Sequence, residues 1–343
     1  MAYISFQPKD HFNTKLYTGN ATDDTAITGV GFQPDWLWGK NRTDSTNHYF
    51  IDAVRGVTKE INSNNTDVEG TDATLIKSFD SDGFTLGNGS LNQSSKDFVT
   101  WNWKANGQGS SNTDGSINTT YTSANTTSGF SIVKYTGTGS NATVGHGLGA
   151  VPKMIIIKCL QQTHWWFVYH SAVGNTKKLN LNTTNDSGSA SANYWNNTTP
   201  TSSVFSVGTE TGVNQSGQDY IAYCFSQKSG FSSMGSYTGN GNADGVYQHL
   251  GFSASWLMIK RTDSSASWVI FDNKRLGYNV ANYQLYANST STEGNNVLLD
   301  ITSQGFKCRA NHLDVNGSGA TYIYMAFAEA PLVSSNGVPA VAR

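Results

Sequence analysis

The sequence predicts an all-β protein built as three tandem, homologous β-sandwich repeats. The first reason is internal repetition. A stretch carrying Gly31, Pro34, Trp36, Leu37, Trp38 and Lys40 leads to Phe50, Ile51 and Asp52. It returns as Gly149, Pro152, Met154, Ile155, Ile156, Ile157 and Lys158, leading to Val168, Tyr169 and His170. It returns again as Gly251, Ala254, Trp256, Leu257, Met258, Ile259 and Lys260, leading to Ile270, Phe271 and Asp272. Lys40 and Lys158 are 118 residues apart, and Lys158 and Lys260 are 102 apart. The same two offsets relate Tyr17, Tyr135 and Tyr237, and relate Asp52, His170 and Asp272, so one unit has been copied. The second reason is composition: 12 % aromatic residues among 35 glycines, with only 13 % charged residues, reads as short core-forming runs between turns. The third is alternation in the closing segments described below.

Repeat one occupies residues 1–107. Phe12 to Tyr17 is its first strand, ended by Thr18, Gly19 and Asn20. Gly31 and Pro34 form a turn before the next strand. In that strand Trp36, Leu37 and Trp38 are apolar on both faces, as are Met154 to Ile157 and Trp256 to Ile259. Such a strand is central, with a layer or a neighbouring molecule against each face. Further short strands follow at Tyr49 to Ile51 and Phe84 to Leu86. The closing strand puts Val99, Trp101 and Trp103 on one face; its counterparts place Ile221, Tyr223 and Phe225, then Ile323, Met325 and Phe327. The loops at Asn92, Asn214 and Asn316 are equivalent tight connections. The spacing implies six or seven strands per unit, as in a small sandwich.

Residues 108–128, almost wholly Ser, Thr, Asn and Gly, are expected to be a linker or surface loop. Repeat two occupies 129–228 and repeat three 229–331, with 332–343 as a C-terminal tail. The tight join between repeats two and three predicts fixed geometry for that pair and more freedom for repeat one. The pattern contains no amphipathic helix of usual length and no heptads.

A net charge of −2 provides no electrostatic pull toward nucleic acid or anionic membrane. The three cysteines (Cys159, Cys224 and Cys308) share no repeat position and fit reduced, partly buried residues. No secretory signal or membrane-spanning run is seen, so synthesis in the cytoplasm without membrane insertion is expected. The histidines lack metal-ligand spacing, and no cofactor or metal is expected.

Glycan hydrolysis calls for two placed carboxylates, yet none of the five glutamates (Glu60, Glu69, Glu210, Glu293 and Glu329) recurs in all three units. No catalytic residue is assigned. The pairs Asp52/Arg55 and Asp272/Arg275 read either as a polar ligand site present twice or as a salt-bridged turn fixing the strand exit, the latter preferred. Lys40, Lys158 and Lys260 are the one charged position common to all units. Their stems are expected to cover apolar surface while the amines reach water. Trp165, Trp166, Tyr194, Trp195 and Trp268 are aromatics that could stack on sugar rings; of these, Trp166 and Trp268 are assigned to the core. Tyr194 and Trp195, in a Ser/Asn-rich loop, are candidate glycan contacts.

Several motifs resemble a repeat family of structural proteins from tailed bacteriophages, especially marine ones. They are the segment from Tyr17 to Asn20, Gly31 to Asp35, Lys40 to Arg42, Asp52 to Gly56, Ser81 to Phe84 and the tail from Asn336 to Arg343. Repeat two departs most, lacking the Asp/Arg pair. The resemblance implies a virion component, in tail fibre, tail spike or capsid decoration, with lectin-like jelly-roll domains, and it implies no known catalytic residue; with no catalytic group repeated across the units, a non-enzymatic role is expected. Its partners would be capsid, portal or tail proteins, further copies of itself, and a host surface glycan.

Overall fold

A computed structural model describes residues 6–275, 279 and 281–328, with short strands at Leu332–Val333 and Pro339–Ala340. The rest of the expected tail, residues 332–343, lies outside the described residues, as do the first five. The fold is all-β, with several antiparallel sheets and, among the described residues, two α-helices of four residues each and one 3-10 turn at Pro8–Asp10.

Each repeat contributes the same four-stranded core. In the first unit the order is Phe12–Thr18, Asp97–Trp103, Trp36–Asn41 and His48–Asp52. In the second, Phe130–Thr136, Asp219–Ser226, Pro152–Cys159 and Phe167–His170 occupy the same places. In the third they are Ser232–Thr238, Thr321–Ala328, Ala254–Arg261 and Trp268–Asp272. Registers agree too, with Trp38 opposite Trp101, Ile156 opposite Tyr223 and Met258 opposite Met325. The third unit extends its sheet to eight strands whose two edges, Ser232–Thr238 and Tyr247–His249, are consecutive in the chain, a nearly closed barrel-like arrangement.

The recurrent Tyr-Thr-Gly has a structural cause. Tyr17, Tyr135 and Tyr237 donate their hydroxyls to the carbonyls of Leu91, Val213 and Val315. The buried amides of Asn92, Asn214 and Asn316 accept from the backbone N–H of Asn20, Thr138 and Asn240. At the intervening glycines a Cβ would come within 2.3 Å of a carbonyl oxygen, that of Gln93 at Gly19, Gln215 at Gly137 and Gly317 at Gly239. Only glycine allows so close an approach of backbone to loop.

The doubly apolar strands divide their faces between two cores. Leu37, Ile155 with Ile157, and Leu257 with Ile259 point into a private core of their own unit. Trp36 and Trp38, Met154 and Ile156, and Trp256 and Met258 point instead into one core common to all three units, joined by the closing-strand residues Trp101, Tyr223 and Met325. There Trp36 stacks on Tyr223 at 4.6 Å between ring centroids, Trp38 lies 6.1 Å from Trp256, and Phe225 lies 6.1 Å from Phe327. The expected neighbour on the second face is therefore the other two repeats of the same chain. Each large side chain buried this way is worth about 1.5–3 kcal/mol.

Two expectations are corrected. Repeat one is not the freer unit, because its tryptophans fill the common core. Nor is 108–128 a loose linker: Tyr121–Asn125 pairs with Phe130–Thr136 as an edge strand of the second unit, and Ile117 is buried. The segment is entered through Ala105 and Gly107, whose N–H groups both donate to the Asp35 carboxylate, at 2.7 and 3.1 Å. Small polar residues suffice there because strand pairing uses the main chain rather than apolar side chains.

Candidate functional site

The residues that recur across the units meet at the seams between them. Asp52 ends its strand and accepts at Oδ1 from the N–H of Val54 and Arg55, and at Oδ2 from Arg55 Nε at 2.6 Å. Both side chains are fully buried. The fourth donor comes from the second unit: Tyr223 Oη reaches Asp52 Oδ2 at 2.8 Å. Asp272 repeats the arrangement, with Lys274 and Arg275 N–H, Arg275 Nε at 2.7 Å, and the indole of Trp101 from the first unit at 3.0 Å. At the third seam the donor position holds Met325, and the acceptor position holds His170. Its Nδ1 accepts from Ala172 N–H, and its Nε2 faces the carbonyl of Tyr324 at 3.4 Å. Burial lowers the His170 pKa to about 4, so the ring is neutral near pH 7. Of the two readings of the Asp/Arg pair, the geometry is that of the salt-bridged strand exit. A bond to the neighbouring unit, which one repeat's sequence does not display, completes it.

The seams repeat in their main chains as well. Glu69, Ser187 and Glu293 donate their N–H groups to the carbonyls of Leu160, Thr262 and Arg42, at 2.8, 3.0 and 3.0 Å. The indoles of Trp166 and Trp268, both buried as expected, donate to the Asn62 and Asn180 carbonyls of the preceding unit. His48 takes this place in the first unit and accepts from Trp38 Nε1 at 2.8 Å. The main-chain links run from the first unit to the second, the second to the third and the third to the first, so the three units close into a ring. Glu293 adds a bridge, binding Arg42 of the first unit and Arg275 of its own at 2.8 and 3.0 Å.

The lysines depart from expectation. Lys40, Lys158 and Lys260 are fully buried, and their amines do not reach water. Nζ donates to the Asn41 carbonyl at 2.6 Å in Lys40, to Cys159 at 2.6 Å in Lys158, and to Thr184 and Ala266 at 3.0 and 2.9 Å in Lys260. At Lys260 the adjoining unit supplies part of the cover, through the Thr184 carbonyl. Desolvation lowers all three pKa values to about 8.

Of the candidate glycan contacts, Trp195 is excluded by burial. It is 2 % exposed, packs on Tyr169 and donates Nε1 to the Lys177 carbonyl, because a single helical turn at Ala192–Trp195 rolls the indole inward. Tyr194 is half-buried and stands beside a group that is open. Lys178 Nζ lies 4.9 Å from the ring centroid of Trp165, 5.0 Å from Phe167 and 5.8 Å from Tyr194. Trp165 is 50 % exposed. Lys178 is also in the lining of a cleft of about 370 Å³ at the seam of the second and third units, with Asn180, Asn185, Asp186, Asp263 and Ser265 among others. Arg261 Nε donates to Asp263 at 2.7 Å, which lowers the pKa of that carboxyl.

The family described as Domain of unknown function (DUF7483) matches residues 7–331. The chain belongs to this family. Its match runs unbroken through all three units, so the DUF7483 domain is the whole ring rather than one repeat. Searches of curated proteins and of solved structures find no match.

Among the described residues no group of three His, Cys, Asp or Glu side chains could hold a metal ion. The three cysteines are buried and unpaired. Glu69 and Glu293 are committed to arginines, Glu60 accepts from Asn62, and Glu329 lies outside the described residues. Sequence reasoning weighed Trp165 only as one of several aromatics and missed Lys178. The one available signal for Trp165 was its place beside Trp166, just ahead of the strand Phe167–His170.

Proposed function

We propose that this protein is a non-enzymatic structural component of a tailed-bacteriophage virion, displayed on the particle as a capsid decoration or tail appendage. In this reading it is made in the host cytoplasm and assembles with capsid, portal or tail proteins. The motifs shared with phage structural repeats support it. One structural observation carries it furthest: the buried Asp/Arg pairs of the first and third units each take a bond from a neighbouring unit, so these recurrent polar groups are spent on closing the ring. A body built this way is a rigid block suited to display. The finer fold reading, three homologous sandwiches of lectin-like jelly-roll type, belongs to the same proposal and is supported by the matching registers. Antibody labelling of intact particles, viewed by electron microscopy, tests it. Regular labelling at one site on head or tail is expected, and absence of the protein from purified particles would reject it.

A second reading, attachment to a host glycan, is favoured by the exposed ring of Trp165 beside Lys178, which lines a polar cleft. A depolymerase draws less support. Its acid must hold a proton at neutral pH, whereas Arg261 keeps Asp263 ionised. Release of new reducing ends from host polysaccharide would reverse that order.

A further inference from the structure

The three seams are built alike, which makes each a control for the others. Hydrogen-bond register aligns His48, Trp166 and Trp268, so Trp165 corresponds to Asn47 and Ser267. By the same register Asp263 follows Thr262 as Thr43 follows Arg42 and Gln161 follows Leu160, and Asp186 precedes Ser187 as Val68 precedes Glu69 and Thr292 precedes Glu293. Lys178 falls where the other units have Glu60 and Gln284. One seam in three thus combines an exposed indole, a lysine and two carboxylates. Ring closure does not require them, since the other two seams close without them.

We propose that this seam is a carbohydrate-binding site for a neutral pyranosyl unit, with Trp165 as stacking platform and Asp263, Asp186 and Asn185 as hydroxyl partners. The inference rests on the attachment reading above, and gives it a place and a ligand class. The polar lining of the cleft, together with the exposed Trp165 ring 4.9 Å from the lining residue Lys178, selects a sugar. A pyranose presents an apolar C–H face suited to an aromatic ring and a rim of hydroxyls suited to carboxylate and amide groups. The cleft, at about 370 Å³, is of small-ligand size. Charge selects a neutral sugar. The Lys178 ammonium is taken up by Asn180 Oδ1 and three ring faces, and the Arg261 guanidinium by Asp263. Asp186 and Asp263 stand exposed and would repel an acidic saccharide. Lys178 holds Trp165 in position from one side, anchored as it is on the buried Asn180.

The test is calorimetric titration of the full chain with cellohexaose, mannohexaose and a β-galactohexaose, with 3′-sialyllactose as the acidic probe. Binding of at least one neutral probe with a Kd below about 1 mM is expected. Trp165→Ala and Asp263→Asn should each weaken it about tenfold, a loss of one good contact. Asn47→Ala and Gln161→Ala, at the corresponding positions of other seams, should leave it unchanged. Unaltered thermal unfolding of Trp165→Ala would establish that folding is intact, and Asp263→Asn provides an independent arm. The proposal is overturned if no neutral probe binds, if the Trp165 and Asp263 variants bind like the parent, or if the sialylated probe is preferred. Particle labelling is decided separately, so the virion reading and this site can fail independently.

Discussion

Tyr223 donates its hydroxyl across the seam to Asp52, 2.8 Å away, and thereby supplies the last partner of a carboxylate buried in another repeat. Trp101 does the same for Asp272. In the third seam both members of the pair have changed, to Met325 and His170. Where the donor is absent, so is the charge that would need it.

Removing the donor and removing the charge should therefore differ in cost. Tyr223→Phe leaves Asp52 still bound to Arg55 and two backbone N–H groups, and should lower stability by about 1.5–3 kcal/mol, the value of a hydrogen bond to a charged group. Asp52→Ala strands the buried Arg55 and should cost about 3–5 kcal/mol. Urea unfolding midpoints measure both. If either change proves as mild as a surface substitution, the seam bond is not structural.

The buried lysines make a prediction about pH. Their folded pKa of about 8 lies below the ordinary 10.5. The unfolded chain therefore binds more protons between these values, and this contribution to stability rises as pH increases from 8 toward 10.5. Below pH 8 the cost of burying a charged amine is fully present. Lys158, whose amine has one carbonyl partner, is the cleanest position. Lys158→Met should raise stability at pH 7 by up to about 3 kcal/mol, and the advantage should shrink as pH approaches 10. Midpoints compared at several pH values check this, and an advantage that does not change with pH would contradict it.

With one core shared by three units and a seam bond at each join, unfolding should be a single cooperative event. Calorimetric and van't Hoff enthalpies are expected to agree, and protease should not cut between units within 108–128. Two separated thermal transitions would place a boundary where the common core leaves none.

Much of this architecture could be read from residues. The apolar runs at Trp36, Ile156 and Trp256 required cover on two faces, and constant offsets exposed the copying. The identity of the second cover was hidden, because periodicity within a strand reports that a face is apolar and not what lies against it. The lysines were misassigned for the same reason. Lys260 lies near the end of its strand, where a lone repeat would meet solvent, and Thr184 of the second unit stands there instead. Trp195 was hidden differently: a single helical turn leaves no periodicity to show which way a ring points.

The two tryptophans of the second unit should respond in opposite ways. Trp195→Ala empties a filled core position and should cost about 3–5 kcal/mol. Trp165→Ala removes a half-exposed ring and should change stability by about 0.5 kcal/mol or less. Thermal and urea unfolding of the two variants would settle the contrast, and similar losses would mean that Trp165 is also a packing residue.

The odd seam can be rebuilt to match the others. His170 aligns with Asp52 and Asp272, Val173 with Arg55 and Arg275, and Met325 with Trp101 and Tyr223. His170→Asp alone buries a carboxylate with only backbone partners and should destabilise by about 3–5 kcal/mol. Adding Val173→Arg restores the side-chain fork, and adding Met325→Tyr restores the donor from the third unit. Each step should recover part of the loss, and their combined gain should exceed the sum of the two measured in the His170 background, because neither has a partner there. The pH response offers a separate readout. The neutral His170, with its pKa lowered to about 4 from 6.5, contributes stability that is complete above pH 6.5 and lost as pH falls through 4. That share of the acid sensitivity should disappear in all three His170→Asp variants. Failure of the triple variant to regain stability over the single one would mean that the Asp/Arg/donor set is an accident of two seams rather than the bond that closes them.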